Sequence, residues 1–246
     1  MNCDKPMRLL LTLQYLGTHY AGWQTQSNAT GVQQVIEEAL ATLFGSSVRI
    51  HGAGRTDSGV HAAAQRAHFD APSTIPPRGL LLGINQLLPA DIRVTHVEEV
   101  ADDFHARFDA TSKTYAYRIW NAEVADVFAA ETHAHVAKTL DETVMRDAAA
   151  RLVGEHDFAI FTVADPEVSS TVRTVSAIDL VRDGEAITLT ISADGFLRYM
   201  VRRIAGSLIE IGRGKLDPAR LREEARWTAP SKGLTLVDVS YHRHSR

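Results

Sequence analysis

His51-Gly-Ala-Gly-Arg-Thr-Asp-Ser-Gly-Val-His61 is the stretch on which the reading of this chain turns. It sets one carboxylate, Asp57, two residues from one guanidinium, Arg55, in a segment loosened by Gly52, Gly54 and Gly59. Glycine loses more conformational freedom on folding than other residues, so such a cluster points to positive φ or to backbone lying close against a ligand. In an extended segment residues i and i+2 project to the same side, which puts Arg55 and Asp57 on one face. A carboxylate beside a fixed cation stays ionised, as a nucleophile or a base requires. The same letters also suit a tight surface turn, since Asp-Ser-Gly is ordinary turn chemistry and Arg-Asp pairs are common on surfaces. Taken alone, the stretch is balanced between the two readings.

Upstream, Met7–Tyr15 reads as a strand and Val32–Phe44 as a helix, with apolar residues at 32, 35, 36, 39, 40 and 43 and Gly45 beyond its end. Val48–His51 reads as a short strand entering the glycine stretch, and Ala64–Phe69 as a strand after it. Pro76-Pro77 opens a helix over Arg78–Leu88, stopped by Pro89, and Ile92–Val100 is a strand. The second half is similar in kind. Thr114–Trp120 has the aromatic and β-branched content of a strand, and Asp141–Leu152 reads as a helix with Asp141 as N-cap and Gly154 past its end. Val172–Val181 and Ile187–Ala193 alternate and are joined by Arg182-Asp183-Gly184-Glu185, a hairpin signal. A long helix is predicted over Arg198–Ile211, ended by Gly212, a shorter one after Pro218, and a closing strand over Leu234–Tyr241. Antiparallel-type strands with one or two helices per half make an α+β pattern rather than a doubly wound one. No Pro/Ser-rich linker separates the halves, and the seam is placed near residues 105–112.

The 246 residues can bury a sizeable core, and no apolar run is long enough to span a bilayer. The N-terminus lacks a signal-peptide apolar region, and the sole cysteine, Cys3, can neither staple the fold nor build a thiolate metal site. A cytosolic, disulfide-free protein is expected. The net charge of −4 argues against an indiscriminate nucleic-acid coat protein. Residues 196–226 nevertheless carry eight Lys/Arg against four acids, a solvated helix face by default and a phosphate-binding surface as the alternative.

Eleven histidines invite a metal site, but His133/His135 and His242/His244 are the only H-x-H pairs, and neither has a further ligand at suitable spacing. No metal is expected. The glycines of residues 52–59 are not followed by Gly-Lys-Ser/Thr, and there is no Gly-x-Ser-x-Gly nucleophile elbow. A glycosidase needs a second carboxylate beside Asp57; its loop offers none, leaving a distant residue such as Asp103. Tyr115 and Tyr117 share one face of a strand and suit either core packing or stacking on a nucleobase. Leu197, Met200, Val201 and Ile204 form a core stripe, with Arg198 and Arg202 on a different face.

In order along the chain stand Gly54-Arg-Thr-Asp-Ser-Gly-Val-His61, Asp103-Phe-His-Ala-Arg-Phe108, Lys113-Thr-Tyr-Ala-Tyr117 and Met200-Val-Arg-Arg-Ile-Ala-Gly206. With Tyr15–Gln24, Gly31–Gln34 and Gly83–Pro89, this set resembles the tRNA pseudouridine synthase A (TruA) family over nearly the whole chain. Ser58 departs from the alanine usual in that family, and Ala64 from a glycine; both are small, so altered loop stiffness is expected rather than lost chemistry. The resemblance implies two fused RRM/ferredoxin-like α+β halves forming a continuous, mainly antiparallel sheet with helices on one face. Residues 1–107 would carry the catalytic Asp loop, and residues 108–246 the stacking Tyr and the Arg helix. It further implies a homodimer that isomerises uridine to pseudouridine at positions 38, 39 and 40 in the anticodon stem-loop of tRNA. Asp57 would be the nucleophile, Arg55 would help displace the target nucleotide, Tyr115 would stack on the uracil and Arg202 would pair with the aspartate. No cofactor and no membrane are implied. Attack at ribose C1′, attack at uracil C6 and a glycal route all remain open, as does the base that takes the C5 proton. The rival readings are a non-catalytic RNA-binding module, for which no RNP1 pattern is found, and a carboxylate-dependent hydrolase.

Overall fold

In the computed structural model, β1 (Met7–Tyr15) lies between β3 (His61–Ala71) and β4 (Ile92–Glu99), antiparallel to both. Its alternation makes two different faces. Leu9, Leu11 and Leu13 stand opposite Phe69, Ala67 and Gln65 and are fully buried. Arg8, Leu10 and Thr12 stand on the other face, opposite Asp70, His68 and Arg66. There Arg8 donates twice to the Asp70 carboxylate, at 2.7 and 2.9 Å, and Arg66 donates to Thr12 and Glu98. A slip of one residue would exchange these faces, so the register is strongly specified.

The structure describes residues 7–73, 75–163 and 168–242; Cys3 and His244 lie outside them. The fold is α+β, with mainly antiparallel pairing and four α-helices among the described residues. The chain divides into two compact units. The first runs up to Thr111 and takes in the chain again from Leu236; the second is Ser112–Thr235. Among the described residues no helix is long and apolar enough to cross a membrane.

In the first unit, α1 (Val32–Phe44) buries Val32, Ile36, Ala39 and Leu40 and stops at Gly45, whose φ of +66° is the usual left-handed helix end. It also buries Gln33, which the apolar period does not foresee. The Gln33 amide donates to the Ile50 carbonyl at 2.9 Å, and the Glu37 carboxylate accepts from the Ile50 N–H at 3.1 Å. Helix side chains thus take both backbone groups of Ile50. The strand expected over Val48–His51 is therefore only β2 (His51–Gly52), paired to β3. A second helix, α2 (Pro77–Leu87), has Pro76 as its N-cap and packs on β4 and α1. The last strand, β10 (Leu234–Tyr241), lies beside β3.

The second unit is built on β5 (Ala110–Trp120), β9 (Ala186–Ala193), β8 (Val172–Asp183) and β7 (Gly154–Asp157), neighbours in that order and antiparallel. β6 (Ala134–His135) runs parallel to β5. β9 alternates cleanly: Ile187, Leu189, Ile191 and Ala193 are buried, and the Thr and Ser between them are half-buried. Helix α3 (Glu142–Ala150) is capped by the Asp141 carboxylate, which accepts from the N–H groups of Thr143 and Val144 at 3.1 Å. It packs on β8 and on α4 (Met200–Gly212). The helix expected after Pro218 is a single 3₁₀ turn, Pro218–Arg220. Beyond it only Leu221 and Ala225 are buried before residue 227, too short an apolar stripe to carry a helix past its costly nucleus.

Candidate active site

The 51–61 stretch leaves β2 and re-enters β3, and several of its backbone groups in between are held by hydrogen bonds. The Ala53 N–H donates to the Arg66 carbonyl at 2.7 Å, and the buried Gln65 amide donates to the Gly54 carbonyl at 2.9 Å. Thr56, between Arg55 and Asp57, is buried; its hydroxyl meets the Tyr15 phenol at 2.9 Å and its carbonyl accepts from Trp23 N–H at 3.0 Å. The Asp57 carbonyl accepts from Val60 N–H at 3.1 Å, closing a turn in which Gly59 has φ +76°. Buried His61 ends the stretch, its Nδ1 accepting from Gly17 N–H at 2.9 Å.

Two of the three glycines act as their type suggests. Gly59 supplies the positive φ, and a Cβ on Gly52 would come within 2.6 Å of the Trp23 indole. Arg55 is exposed, Asp57 half-buried, and the residue between them points into the core. Burial of the intervening side chain agrees with alternation along an extended segment.

The supporting residues were not singled out by sequence reasoning. Tyr15, Gln33 and Gln65 read as strand or helix positions, and only the polar ends of otherwise buried side chains hint at a further duty. Burial raises the Tyr15 phenol to about 12, against the opposing hydrogen bonds of Thr56 and Gln65. It stays a neutral hydroxyl across the working pH range.

Tyr115 and Arg202 belong to the second unit. Tyr115 is buried on β5 opposite Ile191 and meets Phe196 edge to face, ring centroids 5.0 Å apart. Its neighbour on that face, Tyr117, is core: fully buried, its hydroxyl donating to the Pro230 carbonyl at 2.9 Å, its pKa pushed up by burial. Arg202, half-buried on α4, is clamped to Ala229 at two points. Its Nε donates to the Ala229 carbonyl at 2.9 Å, and its own carbonyl accepts from the Ala229 N–H at 3.0 Å. Gly206, one turn on, lets the Trp227 carbonyl approach to a point a Cβ would reach at 2.5 Å. Leu197, Met200, Val201 and Ile204 form the buried stripe that the spacing predicts.

The other candidates find local partners. His133 Nδ1 lies 3.0 Å from the Thr132 hydroxyl, and His135 Nε2 donates to the Ala122 carbonyl at 2.8 Å. Among the described residues no group of three or more His, Cys, Asp or Glu is arranged to hold a metal ion. Asp103 is exposed in the turn before Phe104, within range of the Arg8 charge.

A family profile described as tRNA pseudouridine synthase matches residues 12–109 and 148–242, which include Arg55, Asp57 and Arg202. The chain belongs to that family. It is 44% identical over 242 residues to the tRNA pseudouridine synthase A of Brevibacillus brevis, covering 95% of this chain and 99% of the relative. Against the enzyme of the same name from Pelobacter propionicus the identity is 41% over 239 residues, 94% of this chain and 98% of the relative. For Myxococcus xanthus it is 40% over 243 residues, 95% and 92% of the two chains. The protein is therefore an isomerase that converts uridine to pseudouridine in tRNA. The hydrolase and the non-catalytic binding module fall away.

Proposed function

We propose that the protein isomerises uridines 38, 39 and 40 in the anticodon stem-loop of tRNA, with Asp57 as nucleophile. The observation that supports this most directly is the anchoring of Thr56 by Tyr15 and Trp23, which holds Asp57 in a fixed backbone frame. A nucleophile must be held near its attack geometry before the substrate arrives, because misplacement by an ångström can cost about a hundredfold.

The chemistry assigns the remaining roles. A stacked uracil cannot be detached and turned, so the nucleotide is flipped out at a cost of a few kcal/mol. Exposed Arg55 fills the gap it leaves, and Tyr115 provides the aromatic surface for the base. Asp57 then opens the bond between ribose C1′ and uracil N1. The base rotates, C5 bonds to C1′, and the C5 proton leaves while N1 is protonated. Nothing is consumed, so the reaction calls for no cofactor. Arg202 supplies the positive charge that keeps the carboxylate ionised. The enzyme works in the cytoplasm as a homodimer, two subunits pooling modest basic surfaces to grip one tRNA.

Replacement of Asp57 by Asn or Ala should abolish tritium release from tRNA labelled at uridine C5 and leave tRNA binding largely intact. Turnover retained by either variant overturns the nucleophile assignment. Mapping pseudouridine on bulk tRNA from cells lacking the protein tests the positions: loss should be confined to 38, 39 and 40.

A further inference from the structure

The motif Asp103-Phe-His-Ala-Arg-Phe108, which follows β4, has no part in the chemistry above. Its second half is a turn that fastens itself. The Asp109 carboxylate accepts from the His105 N–H at 2.7 Å, and the Asp109 N–H donates back to the His105 carbonyl at 3.0 Å. Within that turn His105 Nδ1 accepts from the N–H groups of Arg107 at 3.1 Å and Phe108 at 3.4 Å. Ala106 is held from both sides, its N–H by His68 Nδ1 at 3.1 Å and its carbonyl by the Tyr241 hydroxyl at 2.8 Å. What this fixed backbone presents outward is a large apolar ring. Phe108 is 74% exposed, with exposed Arg107 beside it.

An isolated exposed hydrophobe needs no explanation, but this ring is backed by others. Phe108 lies against His105 with centroids 4.2 Å apart and planes tilted by 32°. His105 meets His68 at 4.6 Å, and His68 stacks on His51, the first residue of the stretch that leads to Asp57. The Arg107 guanidinium carbon is 5.8 Å from the Phe108 centroid. A flat ring backed by a second ring and edged by a guanidinium is the kind of surface on which an unpaired nucleobase stacks. The exposed neighbours Asp103 and Arg107 are charged, so the ring is not part of an apolar patch of the kind a protein partner covers. Position excludes the target uracil as its occupant. Arg8, near the start of β1, donates to the Phe104 carbonyl at 2.9 Å, whereas Tyr15, at the end of β1, meets Thr56. At about 3.3 Å per residue these two points on the strand are roughly 20 Å apart, out of reach of one base but within the span of one tRNA.

We infer that Phe108 and Arg107 form a second tRNA contact, the ring stacking on an unpaired base and the guanidinium meeting the adjoining phosphate. The inference rests on tRNA as the substrate and not on which uridines are modified. Because the turn is already fixed, little ordering accompanies binding, and the stacking appears in the affinity. Phe108→Ala should weaken equilibrium binding of an unmodified tRNA transcript about tenfold. Its KM for tritium release should rise by as much, with kcat changed less than twofold and the thermal midpoint unchanged. Phe108→Trp, which keeps an aromatic face, should bind like the natural chain. Phe108→Leu, which keeps only apolar bulk, should bind like Phe108→Ala. Arg107→Ala should weaken binding and lower the slope of log K against log salt by about 1.

Natural affinity and KM in Phe108→Ala overturn the inference. So does rescue by leucine equal to that by tryptophan, which would make the contact apolar packing rather than stacking. An unchanged salt slope in Arg107→Ala overturns the phosphate contact. Sedimentation of the same variants covers the remaining occupant: natural tRNA affinity with a shifted oligomeric state would assign the ring to a second copy of this chain and overturn the tRNA contact.

Discussion

The phenol of Tyr15 meets the hydroxyl of Thr56 at 2.9 Å, both side chains buried. Tyr15 ends β1, and Thr56 is the residue between Arg55 and Asp57, so a core strand sets the placement of the candidate nucleophile. Tyr15→Phe leaves the Thr56 hydroxyl buried without this partner, which should cost about 1–2 kcal/mol in urea unfolding. It should also lower kcat by about tenfold or more through misplacement of Asp57. Adding Thr56→Val removes the orphaned hydroxyl and should recover stability but not kcat. Recovery of both together would show that the contact serves stability alone. Because the phenol pKa is raised to about 12, the stability linked to it is complete below the ordinary tyrosine value and is lost as pH rises through about 12.

Ser58 and Gly59 are neighbours with opposite expectations. The Ser58 hydroxyl is exposed and donates to the Tyr20 carbonyl at 3.2 Å, so Ser58→Ala should change stability by no more than about 0.5 kcal/mol and leave turnover intact. Gly59 sits at φ +76° within the turn closed by the Asp57 carbonyl. Gly59→Ala should cost about 1–2 kcal/mol and lower kcat as the turn shifts. Equal behaviour of the two variants in thermal melts and tritium release would contradict this account of the turn.

What could be read in advance follows from the range of the interactions. The periodic elements β1, α1 and β10 and the cap Asp141 are local, and their residues match the elements observed. β6 and β7, of two and four residues, are too short to carry a period and exist only because a neighbouring strand pairs them. The glycine stretch announced its own flexibility but not what fixes it. Tyr15 is 41 residues from Thr56, and Gln33 is 17 from Ile50, and both look like ordinary members of their elements. The positive φ of 64° at Tyr199, where α4 begins, was hidden for the opposite reason: Leu197, Met200, Val201 and Ile204 continue one helical stripe across it, so the period runs on where the backbone does not.

His68 predicts the acid behaviour of the first unit. Its ring stacks on His51 at 5.1 Å and meets His105 at 4.6 Å, with Arg8 and Asp70 adjacent. Its Nδ1 accepts from Ala106 N–H, which the neutral ring alone can do. Burial first, then the charges of His105 and His51, lowers its pKa to about 4, and that of His105 is lowered too. A base with a depressed folded pKa contributes stability that is complete above the ordinary histidine value and lost as pH falls toward about 4. The urea midpoint should therefore drop between about pH 6.5 and 4. His68→Asn keeps an acceptor for Ala106 and removes the titrating ring, so it should flatten that slope. An unchanged slope would place the acid sensitivity elsewhere.

Arg222 and Arg220 lie in the basic run but differ in what already holds them. Arg220 pairs with Glu224 at 3.2 Å and Glu223 at 3.9 Å, whereas Arg222 donates to His156 Nδ1 at 3.1 Å. A phosphate contact by Arg220 must displace two carboxylates; one by Arg222 displaces only a neutral ring acceptor. If this stretch touches the tRNA backbone, Arg222→Ala should weaken binding for all tRNAs and reduce the slope of log K against log salt by about 1. Arg220→Ala should change the slope less, because its charge is already partly compensated. Neither should alter kcat at saturating tRNA, since an interaction made equally in ground and transition states changes KM alone. A slope unchanged in the Arg222 variant would move the phosphate footprint off this stretch.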